Sequence, residues 1–204
     1  MLHKNQHDAI AKIQNIIDSK NLNSISFDDS ITKTYFFHKL TLIAKTPTIY
    51  LDFDLLYSGY VASMILGKAE NVSVYQLTQE SIKDTFVNLM DRISLEQHTV
   101  IIDSLNGFFT ILADQKESGR IVNSLVMLLV SAAQNTNSPI ILGSISKFKK
   151  DEGWILSAIG RHVIEIDDMN TISIRKQNSH LQITQTDHLN TQKLSLSTFD
   201  LDLI

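Results

Sequence analysis

The sequence has no cysteine, only two prolines and seven glycines among 204 residues, and no long hydrophobic run. The absence of cysteine excludes a disulfide framework, thiol catalysis and thiolate metal sites. So few glycines and prolines disfavour an all-β sandwich, which needs many turns. The longest apolar stretch, residues 125–130, is too short to cross a bilayer. We therefore expect no membrane association.

Basic charge is also scarce. Lys and Arg number 18 against 22 Asp and Glu, which gives a net charge of -4 and a pI of about 5.9. No overall basic field favours nucleic acid, so any such binding needs a local patch. Residues 1–20 mix polar side chains with apolar ones, which is unlike a signal peptide. With 43% hydrophobic and 20% charged residues, the composition predicts an ordinary globular protein of the cytoplasm.

Strand-like and helix-like patterns alternate along the chain, which predicts βαβ units and a parallel sheet. A first amphipathic helix covers residues 9–17, so we divide the chain into an N-terminal helical segment, 1–22, and one α/β domain, 23–204. The predicted strands are 23–27, 48–53, 72–77, 99–102 and 139–142. The predicted helices are 31–45, 59–66, 80–93 and 121–133, the first with Asp29 or Ser30 as N-cap. Residues 163–166, 171–175 and 181–185 are predicted to form antiparallel strands at the C-terminal end.

Polar residues follow the strands of the predicted sheet, where open α/β sheets bind their ligands. The first strand runs into Phe27-Asp28-Asp29-Ser30-Ile31-Thr32-Lys33-Thr34. The later strands end in Asp52-Phe53-Asp54, in Asp103-Ser104 and in Ser144-Ile145-Ser146. Asp52 and Asp54 share one face of a strand by period-two spacing, which is compatible with a metal pair and equally with ordinary strand-end carboxylates. The histidines are scattered, and we predict no metal site.

The strand ending in Asp103-Ser104, continued by Leu105-Asn106-Gly107-Phe108-Phe109, resembles the Walker B strand of the RecA-like ATPases, the group of the RadA recombinases and the KaiC family. The resemblance covers about residues 23–185. It implies a P-loop NTPase fold, namely a RecA-like three-layer α/β core with a mainly parallel central sheet and antiparallel C-terminal strands. It also implies that Asp103 is the Walker B carboxylate and that Asp54 stands where the family has a catalytic Glu. Lys33, Thr34 and Ser104 are then the candidate cofactor-binding residues.

The phosphate loop departs from the pattern G-x-x-x-x-G-K-[ST]. Lys33 and Thr34 keep the last two places, but Phe27 and Thr32 replace both glycines. Those glycines let backbone amides curl around phosphates, and β-branched residues disfavour that geometry. Asp28 and Asp29 would add two carboxylates beside a triphosphate. The Walker A motif is therefore predicted to be degenerate. Asp54 is one methylene shorter than Glu, and Ser144 and Ser146 replace the Asn-Gln pair of the recombinases.

These departures predict a pseudo-ATPase that serves as an oligomerising, scaffold or regulatory subunit, with no cofactor. The expected partner is a second copy or another RecA-like protein, joined head to tail in a ring or filament as RecA-like domains usually are. Elongator's RecA-like subunits offer an analogy. The alternative is a working ATPase paralogue in DNA repair or recombination, which would bind ATP and Mg²⁺.

A third alternative is a nucleic-acid-binding module that needs no ATP. The segment Lys147-Phe148-Lys149-Lys150 follows the last predicted parallel strand and places an aromatic among lysines. Such segments suit single strands, because bases stack on the ring and lysines contact phosphates. Asp151 and Glu152 come next, so an ordinary solvated loop was the competing interpretation. Any nucleic-acid binding is predicted to be weak.

Overall fold

The computed structural model describes residues 12–151, 153–157, 168–178, 180–186 and 191–197. A helix, α1, covers residues 12–18. The further helices are α2 (Ser30–Ile43), α3 (Leu56–Ala62), α4 (Ile82–Leu95), α5 (Leu105–Ile111) and α6 (Ser118–Ala133). The strands are β1 (Leu22–Phe27), β2 (Thr48–Asp52), β3 (Val72–Gln76), β4 (Thr99–Asp103), β5 (Ile140–Lys149), β6 (Gly153–Leu156), β7 (Met169–Gln177), β8 (His180–Thr186) and β9 (Thr191–Ser197).

The strands form one sheet in the order β3-β2-β4-β5-β1-β7-β8-β9, and β6 pairs with β5 outside this path. The ladders from β3 to β7 are all parallel. The ladders of β7 with β8 and of β8 with β9 are antiparallel, as is the β5–β6 hairpin. The predicted α/β class with a mainly parallel sheet and antiparallel C-terminal strands is confirmed. The antiparallel part begins at β8, since β7 still pairs with β1 in parallel.

Helices cover both faces of the sheet and give three layers. One apolar cluster joins the sheet to α1 and α2, and it includes Ile17, Phe36 and Phe37. The other joins the sheet to α4, α5 and α6, and it includes Phe86, Phe108 and Val126. The central strands β2 and β4 are buried along their whole length, as expected of parallel strands covered on both faces.

The described part of the N-terminal segment packs against the same sheet. Ile13 and Ile17 of α1 are buried. The Asn170 amide donates to Ile16 O (2.7 Å), and the Asn23 amide donates to Ile17 O (3.1 Å). The amide of Asn170 also donates to Asn23 Oδ1 at 2.8 Å. These side chains satisfy carbonyls at the C-terminal end of α1, which have no partner within the helix. Residues 1–11, where the helix was predicted to begin, lie outside the described residues.

Several elements differ from the pattern-based expectation. The third helix is α3, which begins at Leu56, three residues before the predicted Gly59, and ends at Ala62. Helix α5, strand β9 and the β5–β6 hairpin were not predicted. The predicted strand 163–166 lies outside the described residues. Asp29 is confirmed as the N-cap of α2, because its carboxylate accepts a hydrogen bond from Thr32 N.

Candidate functional site

The segment that would be a phosphate loop is short and closed. Only two residues separate the end of β1 at Phe27 from the start of α2 at Ser30. Phe27 is fully buried and packs edge-on against Phe36 and Phe37, with ring centroids 5.6 and 5.4 Å away. Helical backbone begins at Ser30, two residues before Thr32, which aligns with the second glycine of the phosphate-loop pattern. The aromatic side chain at the first glycine position anchors the end of β1 in the core.

The N-terminus of α2 is capped by a side chain of the protein itself. Asp29 accepts from Thr32 N at 2.7 Å and from Thr32 Oγ1 at 2.6 Å. A helix N-terminus attracts anions because its first amides have no partner and its dipole is positive there. Here the Asp29 carboxylate already occupies that position. Thr34 does not reach the site, since its hydroxyl donates to Ser30 O within the same helix at 2.9 Å.

Lys33 lies at the centre of a buried charged cluster. Its side chain is fully buried and forms ion pairs with Asp103 and with Asp54, the latter at 3.1 Å. Burial lowers the pKa of Lys33, and the neighbouring Asp54 acts in the opposite direction. The Asp103 side chain is fully buried, whereas 26% of the Asp54 side chain is exposed. Asp54 is therefore the solvent-facing edge of the cluster.

Tyr50 and Ser104 complete the hydrogen bonds of the two carboxylates. Tyr50 on β2 donates its hydroxyl to Asp103 Oδ2. Ser104 donates to Asp54 Oδ2 at 2.7 Å and accepts from Gly107 N, which makes it the N-cap of α5. Burial raises the pKa of Tyr50 well above its usual range, and Asp52 adds to the effect.

Asp52, the other carboxylate at the end of β2, faces elsewhere. Asp52 Oδ2 accepts from Ser58 N (2.7 Å) and from Ser58 Oγ (2.6 Å), at the start of α3. Asp54 instead turns to Lys33 and Ser104. Among the described residues, no group of three or more His, Asp or Glu side chains is arranged to hold a metal ion.

Ser144 and Ser146 lie on the opposite face of the sheet from Lys33. A Cβ placed on Gly143 would meet the ring of Phe37, so Gly143 faces the layer of α2 and the two serines alternate away from it. Ser146 accepts from Arg175 Nη2 at 3.2 Å. Ser144 Oγ is buried and has no hydrogen-bond partner among the described residues. The serines therefore do not join the Lys33 cluster.

The predicted basic segment forms the β5–β6 hairpin. Lys147 and Lys149 lie two residues apart on β5 and are exposed, and Lys150 is exposed in the turn. Period-two alternation places Lys147 and Lys149 on one face of the strand. Strand pairing between Phe148 and Trp154 closes the hairpin. The apolar residues Ile145 and Phe148 are three positions apart, so residues 145–149 carry no period-two signal that could have predicted this strand.

The cluster can be compared with the expectations for an ATP site. Sequence reasoning identified Lys33, Ser104, Asp54 and Asp103, and the structure brings these four together. It did not identify Tyr50 or Gly107 as neighbours of the cluster, but it did predict Asp29 as a possible N-cap of the helix. Chemically, the carboxylates of Asp54 and Asp103 neutralise the charge of Lys33 within the protein.

None of the described helices is both long and apolar enough to cross a membrane.

Comparison with known proteins points to one fold. No protein-family model matches the sequence, and no curated protein matches it by sequence. Among solved structures, the chain is similar to the crystal structure of the RadB recombinase, with a TM-score of 0.55 and 13% sequence identity. The match covers 83% of this chain and 82% of that chain. At this level of identity the likeness shows the fold, and the chain has a RecA-like α/β fold.

Proposed function

We propose that this chain is a RecA-like domain that does not hydrolyse ATP and that acts as an assembly or scaffold subunit. One observation carries the proposal: the buried Lys33 side chain is paired with Asp103 and Asp54. In a working P-loop site the lysine reaches the β- and γ-phosphates and the Walker B carboxylate helps to hold Mg²⁺. Here both groups bind each other.

The position where a P-loop site binds the phosphates is also occupied by a side chain of this protein. Asp29 fills the N-terminus of α2 with a carboxylate, where the phosphates of a nucleotide would lie in a P-loop protein. Asp28, in the same two-residue connection, is exposed. A triphosphate would therefore approach two carboxylates instead of a ring of free backbone amides. The repulsion adds to the loss of the glycine loop.

A rough comparison of free energies shows how much these contacts matter. A micromolar ATP affinity corresponds to about 8 kcal/mol. Breaking a buried ion pair costs about 3–5 kcal/mol, and ATP would have to separate Lys33 from Asp103 before binding its phosphates to that lysine. At 1.4 kcal/mol per factor of ten, this alone weakens affinity by about a hundredfold to a few thousandfold. From this contribution alone we expect an ATP dissociation constant between about 0.1 mM and a few millimolar, and the lost glycine loop and the Asp28 and Asp29 carboxylates should weaken binding further.

The proposed scaffold role rests on the combination of a RecA-like fold with a site that lacks the glycine phosphate loop. The described residues keep a large buried core and a sheet of nine strands, although they lack the glycines of a phosphate loop. The similar structure belongs to a protein named as a recombinase, which leaves an ATP-binding paralogue in DNA repair as the alternative.

The deciding experiment is a calorimetric titration of the protein with ATP and Mg²⁺, with phosphate release measured in parallel. We expect no saturable binding below about 1 mM ATP and no hydrolysis. Lys33→Ala is the site variant, and Lys45→Ala, an exposed lysine beyond α2, is the matched control. Micromolar binding by the wild type that is lost in Lys33→Ala but kept in Lys45→Ala would overturn the proposal and establish the ATP-binding alternative.

A further inference from the structure

Beyond Arg120 in its first turn, the outward face of α6 carries no charged side chain. This 16-residue helix buries Val122, Val126 and Leu129 against the sheet. Its solvent side exposes Asn123, Ser124, Met127, Leu128 and Ser131. Met127 and Leu128 are 41% and 51% exposed. Residues 121–146 contain no Asp, Glu, Lys, Arg or His, so no charged side chain of this stretch borders the exposed methionine and leucine.

The neighbouring helix shows what a solvated helix of this protein looks like. Helix α4 lies beside α6 and exposes Lys83, Asp84, Asp91 and Arg92. The contrast matters because solvent-facing helix surfaces are normally rich in charge. Depletion of charge around exposed Met and Leu is instead typical of the core of a protein interface. Burying an unpaired charge is costly, so the surface that covers α6 must itself be free of charge there.

We infer that the outward face of α6 pairs with α6 of a second copy, in antiparallel orientation, about a two-fold axis beside Met127 and Leu128. Among the described helices longer than eight residues, α6 alone has no charged side chain beyond its first turn. The sequence of this face is also symmetric about Met127 and Leu128. Ser124 lies three residues before Met127, and Ser131 lies three residues after Leu128. An antiparallel pair then places each Ser124 opposite the partner's Ser131, and the small serines leave room for the large side chains.

The charges at the two ends of α6 complement each other in this arrangement. Arg120 lies in the first turn, and its exposed side chain pairs with the exposed Glu117, the N-cap residue of α6. The last turn of α6 carries no basic residue. The C-terminal end of α4 lies beside it, as the bond from Gln97 Nε2 to Asn137 O (3.1 Å) shows, and brings the exposed Glu96 there. Antiparallel pairing moves Arg120 of each copy toward the negative helix end of the other.

The size of the face sets the expected affinity. A helix of 16 residues is about 24 Å long, so one helix pair with its rims buries less than the roughly 1,600 Å² of a standard interface. We therefore expect a reversible dimer with a dissociation constant on the order of micromolar. The inference extends the assembly part of the proposed function. It differs from the head-to-tail contact expected of a ring or filament, because a two-fold interface closes on itself.

The first test is sedimentation equilibrium of the full chain over a range of concentrations. The wild type should form dimers, and Leu128→Glu should weaken self-association by at least about tenfold, because two copies of the carboxylate would meet near the axis. The matched control is Leu42→Glu, since Leu42 on α2 is 52% exposed and lies in the opposite layer. Circular dichroism checks that both variants remain folded. The inference is overturned if the wild type stays monomeric at about 100 μM, a hundred times the expected dissociation constant. It is also overturned if both variants weaken self-association equally.

The second test uses the absence of cysteine to fix the geometry. Ser124→Cys and Ser131→Cys are prepared separately and oxidised alone or mixed. In the proposed pair, positions 124 and 131 of different copies face each other, whereas two copies of position 124 are about 10 Å apart along the helix. This exceeds the reach of a disulfide. The mixture should form a disulfide-linked dimer that joins one chain of each variant. Equal homodimer formation by each variant alone would contradict the antiparallel arrangement. Neither test involves ATP. The inferred dimer can therefore be refuted while the proposed loss of ATP binding holds, and ATP binding can be found while the dimer is confirmed.

Discussion

Lys33 and Asp103 are 70 residues apart in the sequence and form an ion pair in which neither side chain is exposed. The pair links the first turn of α2 to the end of β4, the two elements that hold phosphate and metal in a P-loop site. Its interior position means that each charge depends on the other for solvation.

Replacing Lys33 by Met should destabilise the protein by about 3–5 kcal/mol, because it leaves the Asp103 carboxylate buried without its cation. Asp103→Asn should also destabilise it. The double variant should lose less stability than the sum of the two single variants, since the two charges are removed together. Urea unfolding gives all three values, and Lys45→Met, an exposed lysine, serves as control. Strict additivity would show that the pair contributes nothing to stability.

The stability of the protein should fall at alkaline pH through Tyr50. Burial keeps its pKa well above the usual range in the folded protein, whereas the unfolded chain ionises near pH 10. The contribution is complete below pH 10 and is lost as pH rises further, by about 1.4 kcal/mol per pH unit. Lys33 acts with the opposite sign, because its lowered pKa makes stability rise with pH below about pH 10.5.

Lys33 makes the same contribution to the pH dependence of stability in the wild type and in Tyr50→Phe. This contribution therefore cancels to first order in the difference between the two proteins. The variant should be less stable at neutral pH, since it lacks the hydrogen bond to Asp103, and its stability should decline less steeply above pH 10. Urea unfolding from pH 8 to pH 11 measures both slopes. Tyr35→Phe, whose ring contacts Tyr60 on the helical surface, should keep the wild-type slope. Equal slopes for Tyr50→Phe and the wild type would refute the assignment.

Gly107 should not tolerate a methyl group. A Cβ at this position would lie 2.9 Å from Phe53 Cβ and would also meet the Asp54 side chain. Gly107→Ala should therefore cost about 1–3 kcal/mol through overpacking. Gly59, inside α3, has no atom within 4 Å of the same position, so Gly59→Ala should stabilise the protein by about 0.5–1 kcal/mol. Thermal unfolding of the two variants should shift the midpoint in opposite directions; equal shifts would contradict the close approach of α5 to Asp54.

Nucleic-acid affinity, where present, should depend on the β5–β6 hairpin. Lys147, Lys149 and Lys150 are exposed there, and the rest of the chain is acidic on balance. Titration of single-stranded DNA and RNA should give weak binding whose salt dependence falls by about 0.7 per lysine removed. The triple alanine variant should bind less than the wild type. Equal binding by both would place any contact elsewhere, and tight, salt-insensitive binding would contradict an electrostatic contact.

Much of the sheet could be predicted from the sequence, and the reasons for the misses are local. Buried parallel strands such as residues 99–102 are continuous apolar runs, and Asp29 is a typical N-cap. Helix α5 was missed because Gly107 lowers its helix propensity, and packing of Phe108 in the core overrides that preference. Strand β9 was missed although the alternation of Leu194 and Leu196 with polar residues indicated it.

The residues of the candidate site could be predicted from the sequence, but their arrangement in space could not. The motif placed Lys33 and Asp103 near each other, because both follow strands at the same edge of a parallel sheet. Nothing in a single sequence tells whether Lys33 points outward to a phosphate or inward to Asp103. That choice depends on the position of the Tyr50 hydroxyl and on the early start of α2, and both are set by tertiary packing.

The position of β1 has a consequence for synthesis of the protein. Leu22 pairs with Ile140 on one side and with Met169 on the other, so β1, the first of the described strands, lies between two strands that come much later in the chain. A nascent chain that ends before β5 has an apolar strand with neither neighbour. Pairing at such long sequence separation is slow, and exposed strand edges favour aggregation. We therefore expect this protein to depend on chaperones during translation more than a protein whose first strand is at the edge of its sheet.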